Sequence, residues 1–251
     1  MPGLDVLGRP TADARERSVT ASHSRDTATV ITPCLVLLCK HPAPGHSKQR
    51  LASQIGRLPA LTIARLLLDC ALEDLRQWPG ARVIAPDQAH DLAWAQAVCP
   101  PAWVLAQGEG NLGQRLNALD RALRARGEQR LLYIGSDCPA LRPADYARVA
   151  QLLESCDSVL LGARDGGVVL LASNRPWPDL SQLPWSTAQL GEALAACCVA
   201  AGHSLHVAGE LFDIDQQEDL ALLGDGLAGD NRPARRALLA ALPALGIAAH
   251  A

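Results

Sequence analysis

The stretch Leu131–Pro139, LLYIGSDCP, runs from apolar residues into a serine and a carboxylate. The apolar part reads as a buried strand that breaks at Gly135 and delivers Ser136 and Asp137 beyond its end. In open α/β sheets, ligands bind just outside the carboxyl ends of the strands. A carboxylate there is suited to hold a divalent cation against a diphosphate, although the same residue can cap a helix or close a turn. Other charges fall at comparable breaks. Lys40, Lys48 and Arg50 lie in KHPAPGHSKQRLA (Lys40–Ala52), which Pro42, Pro44 and Gly45 mark as a loop. Cations on a loop after a strand clamp phosphates, arginine with paired donors, unless they are merely solvated. Asp165 sits in an Asp-Gly-Gly tight turn, where it serves the turn or points into a pocket to bind hydroxyls or act as a base. Asp213 and Asp215 precede a helix start carrying Glu218 and Asp219, so Asp215 is either a cap or a second acid of the site.

The elements that would position these residues alternate. CLVLLC (Cys34–Cys39) is apolar throughout, as a central parallel strand buried on both faces would be. Pro59–Trp78 repeats leucine and alanine at three- and four-residue spacing and predicts a helix. Strands are expected at Ala81–Pro86, Trp103–Gln107, Asp157–Ala163, Val168–Ala172 and Ser204–Gly209. Helices are expected at Asp91–Val98, from the glycine-rich turn QGEGNLGQRL to about Arg126, at Pro143–Glu154, at Thr187–Ala201 capped by Ser186 or Thr187, and after Pro233. The glycine-rich turn lacks the G-x-G-x-x-G spacing and reads as a connecting loop. Arg175–Ser186, rich in Pro and Trp, is a loop that covers a site or packs on the sheet. Alternating strands and helices with charged breaks predict an α/β fold, a single doubly wound, mostly parallel sheet flanked by helices.

A chain of 251 residues, 49% hydrophobic, suits one large domain with a core of Leu, Ala and Val, since Phe212 is the only phenylalanine. Residues 1–30 are polar and aperiodic and are expected to form a mobile extension before a domain at 31–251. They lack the apolar run of a signal peptide, and Asp5, Asp13, Glu16 and Asp26 argue against an organellar presequence. A net charge of −3 gives no general attraction to nucleic acid or acidic membranes, and no apolar run is long enough to span a bilayer. The eight cysteines contain no C-x-x-C, and Cys34 and Cys39 should face opposite sides of one strand. The expectation is buried thiols in a reducing cytoplasm, with no structural zinc.

Six motifs occur in order: K-x-P-x-P-G-x-x-K-x-R-L-A at Lys40–Ala52, G-x-L-G-x-R at Gly110–Arg115, I-G-S-D-x-P at Ile134–Pro139, D-G-G at Asp165–Gly167, W-S-T at Trp185–Thr187 and D-I-D-x-x-E-D-L at Asp213–Leu220. Together they resemble a bacterial glycosyltransferase-like family first catalogued as a domain of unknown function. Some of its members are associated with arsenosugar biosynthesis or with radical-SAM and selenoprotein-type gene clusters. The resemblance spans about 32–223 and implies the GT-A fold of nucleotide-diphospho-sugar transferases. It also implies a nucleotide-sugar donor, a small-molecule acceptor and Mg²⁺ or Mn²⁺. By position, Asp137 and Asp215 resemble the metal-facing carboxylates, Lys40, Lys48 and Arg50 the nucleotide and phosphate contacts, and Asp165 a residue of the sugar or acceptor pocket. Two positions depart from the pattern. Gln49 stands where Thr is usual, which bears on donor binding. Val168 and Val169 stand where an aromatic usually follows D-G-G, which bears on acceptor binding.

The leading expectation is therefore metal-assisted glycosyl transfer, the cation stabilising the departing diphosphate and Asp165 deprotonating the acceptor. The spacing K…K-x-R-L also resembles guanylyltransferase-type nucleotidyltransferases, which release pyrophosphate. A third reading, prompted by Gln49 and Val168, is a nucleotide-sugar-binding module without catalysis.

Overall fold

A computed structural model describes residues 32–247, and the extension expected at 1–30 lies outside them. Among the described residues one sheet is built from β1 (Cys34–Cys39), β2 (Arg82–Pro86), β3 (Trp103–Val104), β4 (Leu131–Ile134), β5 (Ser158–Ala163), β6 (Val168–Ser173) and β7 (Leu205–Leu211). Their order is β3-β2-β1-β4-β6-β5-β7, and only β6 runs antiparallel to its neighbours. The α/β, mostly parallel reading is thus correct. Because β1 lies between β2 and β4, the chain winds outward in both directions from the β1/β4 boundary, the switch point at which such sheets open a crevice.

The helices are α1 (Gln49–Ile55), α2 (Arg57–Gln77), α3 (Leu92–Val98), α4 (Leu112–Ala125), α5 (Pro143–Leu152), α6 (Leu190–Ala200), the single turns α7 (Gln217–Leu220) and α8 (Leu223–Gly226), and α9 (Pro233–Ala241). Side chains alternate across each strand. Leu35, Leu37 and Cys39 of β1 therefore join Ile63, Leu67 and Leu75 of α2 in one core layer. Cys34 and Val36 join Leu116, Leu119 and Leu123 of α4 and Leu194 of α6 in the other. Each such leucine contributes about 2 kcal/mol of burial. The two cysteines of β1 do face opposite layers, and all eight cysteines are free thiols.

Helix α9 is bolted to α2 by charge. The Arg235 side chain is wholly buried and donates to Glu73, Asp74 and the carbonyls of Cys70 and Pro139, while Arg232 holds the other oxygen of Asp74. Among the expected boundaries that shift, three have a clear physical reason. The basic loop ends at Lys48, because Gln49–Ala52 already belong to α1. The strand expected at Trp103–Gln107 pairs as a ladder only at Trp103 and Val104. Leu105 and Gln107 nevertheless still donate to Ile84 O and Pro86 O, as an edge segment peeling from the sheet does. Helix α6 starts at Leu190 with no side-chain cap, because the Thr187 hydroxyl donates back to Pro184 O and Ser186 turns the chain at φ 63°.

Candidate functional site

Lys40 follows β1, Asp87 follows β2, Asp137 lies just beyond β4, Asp165 turns between β5 and β6, and Asp213 follows β7. All five line one cleft of about 520 Å³ at the carboxyl edge of the sheet. Every site residue expected from the sequence lines it: Lys40, Lys48, Arg50, Asp137, Asp165 and Asp215, drawn from both sides of the β1/β4 switch point. Strands in a sheet lie about 4.8 Å apart, so the ends of β2 and β4 are separated by roughly 10 Å. That distance spreads the cleft into a region near Asp87 and Gln107 and a region rich in carboxylates.

The basic loop is fixed at both ends. His41 Nδ1 lies 2.8 Å from Asp91 Oδ1 and its ring stacks on Trp94 at 4.4 Å, while His46 Nε2 lies 3.5 Å from Asp87 Oδ2. The loop then turns into α1 through Lys48, whose φ of 54° and ψ of 46° are left-handed. This conformation is uncommon outside glycine and costs about 1 kcal/mol or more. It accompanies a side chain that is buried and ion-paired twice. Lys48 Nζ lies 3.0 Å from Asp137 Oδ1 and 2.8 Å from Asp215 Oδ1, and it also donates to Ile214 O. Ile214 N–H in turn donates to Asp137 O, tying the end of β4 to the segment after β7. Burial pulls the Lys48 ammonium down, but the two carboxylates outweigh it and its pKa rises. For Asp215 burial acts upward, and Lys48, followed by Arg50 and Lys40, brings it below the usual carboxylate range.

Asp213 is the acid the sequence reading left without a role. Burial first, then the negative charges of Asp165, Asp215 and Asp137, push its carboxyl up to about 6. Asp165 accepts the Gly167 N–H at 2.8 Å, so it serves the turn while also facing the cleft. The D-G-G motif has a steric reason as well. Gly166 has φ 86°, and a Cβ there would lie 2.0 Å from Ala188 O. In G-x-L-G, a Cβ on Gly113 would meet Leu180 O at 2.0 Å, so only glycine lets α4 touch the loop that carries Trp185. That loop does both things expected of it. Trp177 packs into the core, and Trp185 and Ser186 line the cleft. Cys138 is no nucleophile, because burial pushes its thiol up to about 12.

Asp87 was not singled out from the sequence. It directly follows a short strand ending in proline, a position that reads as a turn. Its side chain is only 5% exposed, and Oδ1 has no hydrogen-bond partner among the described residues. Ser47 Oγ, on the same cleft, is likewise buried and unpartnered. A buried acceptor without a donor is costly, so the Asp87 end of the cleft is chemically matched to a ligand bearing N–H groups.

Mg²⁺ and Mn²⁺ favour carboxylate oxygens, yet the oxygens Asp137 and Asp215 turn toward each other are both taken by the Lys48 ammonium. Among the described residues, no three His, Cys, Asp or Glu side chains are grouped to hold a metal ion. As arranged, the pair does not fit a divalent cation.

The similarities of the chain agree with this architecture. Residues 71–187 match the family described as "Uncharacterized protein conserved in bacteria (DUF2064)". The chain thus resembles a bacterial family first catalogued by an unknown function, as the motifs imply. The matched segment contains Asp137, Asp165 and Trp185, whereas the basic loop and Asp215 lie on either side of it. The fold is that of a proposed nucleotide-diphospho-sugar transferase from Desulfovibrio desulfuricans G20, with a TM-score of 0.77 at 22% identity over 85% of this chain and 96% of that one. A cytidylyltransferase from Leptospira borgpetersenii serovar Hardjo-bovis aligns with a TM-score of 0.53 at 11% identity over 88% and 99% of the two chains. No curated protein matches. Among the described residues no helix is long and apolar enough to cross a membrane.

Proposed function

We propose that the chain is a transferase that moves a sugar from a nucleotide-sugar donor to a small-molecule acceptor in this cleft. The observation that carries the reading is the convergence of Lys40, Lys48, Arg50 and the carboxylates Asp137, Asp165, Asp213 and Asp215 on one crevice at the switch point. The base of the donor lies toward Asp87, whose free oxygen accepts an N–H. The diphosphate lies between the basic loop and the start of α1, where Lys40 and Arg50 meet its negative charge. The sugar and acceptor occupy the acidic region beside Trp185, which offers the aromatic face absent at Val168.

In the reaction, an acceptor hydroxyl oxygen attacks the anomeric carbon and the bond from that carbon to the diphosphate breaks. The hydroxyl proton passes to a carboxylate, assigned to Asp165, and the nucleoside diphosphate leaves with the bonding electron pair. Lys40 and Arg50 stabilise the charge that develops on the leaving group. Asp137 acts with Lys48, holding the ammonium at the centre of the acidic region.

Incubation with a panel of nucleotide sugars and hydroxyl acceptors, read by nucleoside diphosphate release, tests the proposal. Release that depends on acceptor and falls at least about a hundredfold in Asp165→Asn supports it. Donor binding without release across the panel favours the non-catalytic module instead. The likeness to a cytidylyltransferase keeps nucleotidyl transfer as the second reading. Pyrophosphate release from a nucleoside triphosphate in place of diphosphate release from a nucleotide sugar would select it.

A further inference from the structure

The position of Lys48 disagrees with the phosphate-binding role its motif implies. A lysine meant for phosphate should reach into open cleft, but this one is 6% exposed and lies between two carboxylates. Its three acceptors, Asp137 Oδ1, Asp215 Oδ1 and Ile214 O, come from two segments that the Ile214 N–H to Asp137 O bond clamps together. An ammonium has three N–H donors, and here each has an oxygen. Both carboxylate side chains remain more than 40% exposed at their outer sides, so only the point between them is closed to solvent.

We propose that Lys48 is the built-in cation of the Asp137–Asp215 pair and that it keeps a divalent ion off the two oxygens it holds. Two like-charged carboxylates can be bridged by an ammonium or by a metal ion, but both cations cannot share the same two oxygens, since they would repel at contact distance. The inference concerns which cation the pair holds. Its test reads the ion directly, and so it stands or falls apart from the transfer reaction.

The experiment is Mn²⁺ titration of the full chain, followed by the electron paramagnetic resonance signal of free Mn²⁺, in wild type and in Lys48→Met, which keeps the length of the side chain and removes its charge. Lys48→Met is expected to bind Mn²⁺ about tenfold or more tightly than wild type, with the gain cancelled by adding Asp215→Asn. Equal affinity in wild type and Lys48→Met, or a gain that survives Asp215→Asn, overturns the proposal. Should Lys48→Met melt early, Mn²⁺ is expected to raise its melting temperature more than that of wild type, and an absence of this selective rescue is likewise fatal to the idea. Reductive methylation of wild type, read by mass spectrometry, gives an independent view. Lys48, 6% exposed, should label more slowly than the exposed Lys40 both without and with Mn²⁺. A Lys48 that becomes reactive as Mn²⁺ is added would show that the ion takes the pair from the lysine and would overturn the proposal.

Discussion

Replacing Arg235 by methionine tests whether α9 is held by charge or by its apolar face. Arg235 is fully buried and supplies five hydrogen-bond contacts: Cys70 O at 2.6 Å, Asp74 Oδ2 at 2.7 Å, Glu73 Oε2 at 3.0 Å, Pro139 O at 3.2 Å and Leu141 O at 3.5 Å. Methionine preserves most of the volume but leaves the Glu73 charge without its cation and removes the guanidinium donors to Cys70 O and Pro139 O. Removing one partner of a buried ionic network costs about 3–5 kcal/mol. For a domain of this size that corresponds to a fall in melting temperature of about 6–20 °C. Arg232 still neutralises Asp74, so the lower half of the range is expected. Burial already pushes the Asp74 carboxyl up against the pull of Arg235 and Arg232, and losing Arg235 raises it further. A carboxyl with a raised folded pKa binds protons more tightly when folded, so its contribution is lost as pH rises through that value. The deficit of Arg235→Met should therefore be larger at pH 8 than at pH 5. Adding Glu73→Gln, which removes the stranded charge, should recover about 1–2 kcal/mol. Urea unfolding followed by circular dichroism measures wild type and both variants. A loss below about 1 kcal/mol, or no recovery in the double variant, would show that the network carries little of the helix docking.

Three further outcomes follow from the site. Asp213 titrates at about 6 when folded against 3.8 for the free side chain, so it favours the folded state below pH 4 and costs stability as pH rises to 6. The full difference is about 3 kcal/mol, reduced by partial exposure to about 1–2 kcal/mol. Asp213→Asn should be more stable than wild type by that amount at pH 8 and equal to it near pH 4 in a pH series of thermal melts. Gly166→Ala must adopt φ 86° and push its Cβ against Ala188 O, whereas Gly45→Ala at φ 76° meets nothing within 4 Å. The first should lose more than about 2 kcal/mol and the second about 1 kcal/mol in denaturant titrations. Equal losses would remove the close-approach argument for D-G-G. Asp87→Asn should leave the melting temperature unchanged or raise it by relieving the buried oxygen Oδ1 that lacks a donor, while weakening nucleotide binding about tenfold in calorimetry. Unaltered nucleotide affinity would detach Asp87 from the ligand.

The fold was legible because its signals are local. The unbroken apolar run of Cys34–Cys39 marks a strand covered on both faces, the leucine stripe of α2 repeats for twenty-one residues, and Asp-Gly-Gly between two apolar runs marks the β5–β6 hairpin. Boundaries were lost where hydrogen bonding overrides composition. The edge strand β3 is cut to two paired residues, and the Trp185–Thr187 turn delays α6. The candidate site was legible as a set of charges following strand ends, since in a parallel sheet those ends share one edge. What the sequence hides is pairing within the set. Lys48 and Asp215 lie 167 positions apart, and nothing in the spacing of Lys40, Lys48 and Arg50 says which cation turns inward. Asp87 stayed invisible because an unpartnered acceptor is a property of surroundings, not of residue type.

The cleft is proposed to grip a nucleoside diphosphate through Lys40 of the basic loop and Arg50 at the start of α1. Isothermal titration of nucleoside diphosphates and their sugar conjugates into wild type and Arg50→Ala addresses it most directly. Saturable binding that weakens about 10- to 100-fold in Arg50→Ala, the loss of a charge-assisted contact, is predicted. Affinity for every nucleotide that is absent in wild type, or indifferent to Arg50, would contradict the account.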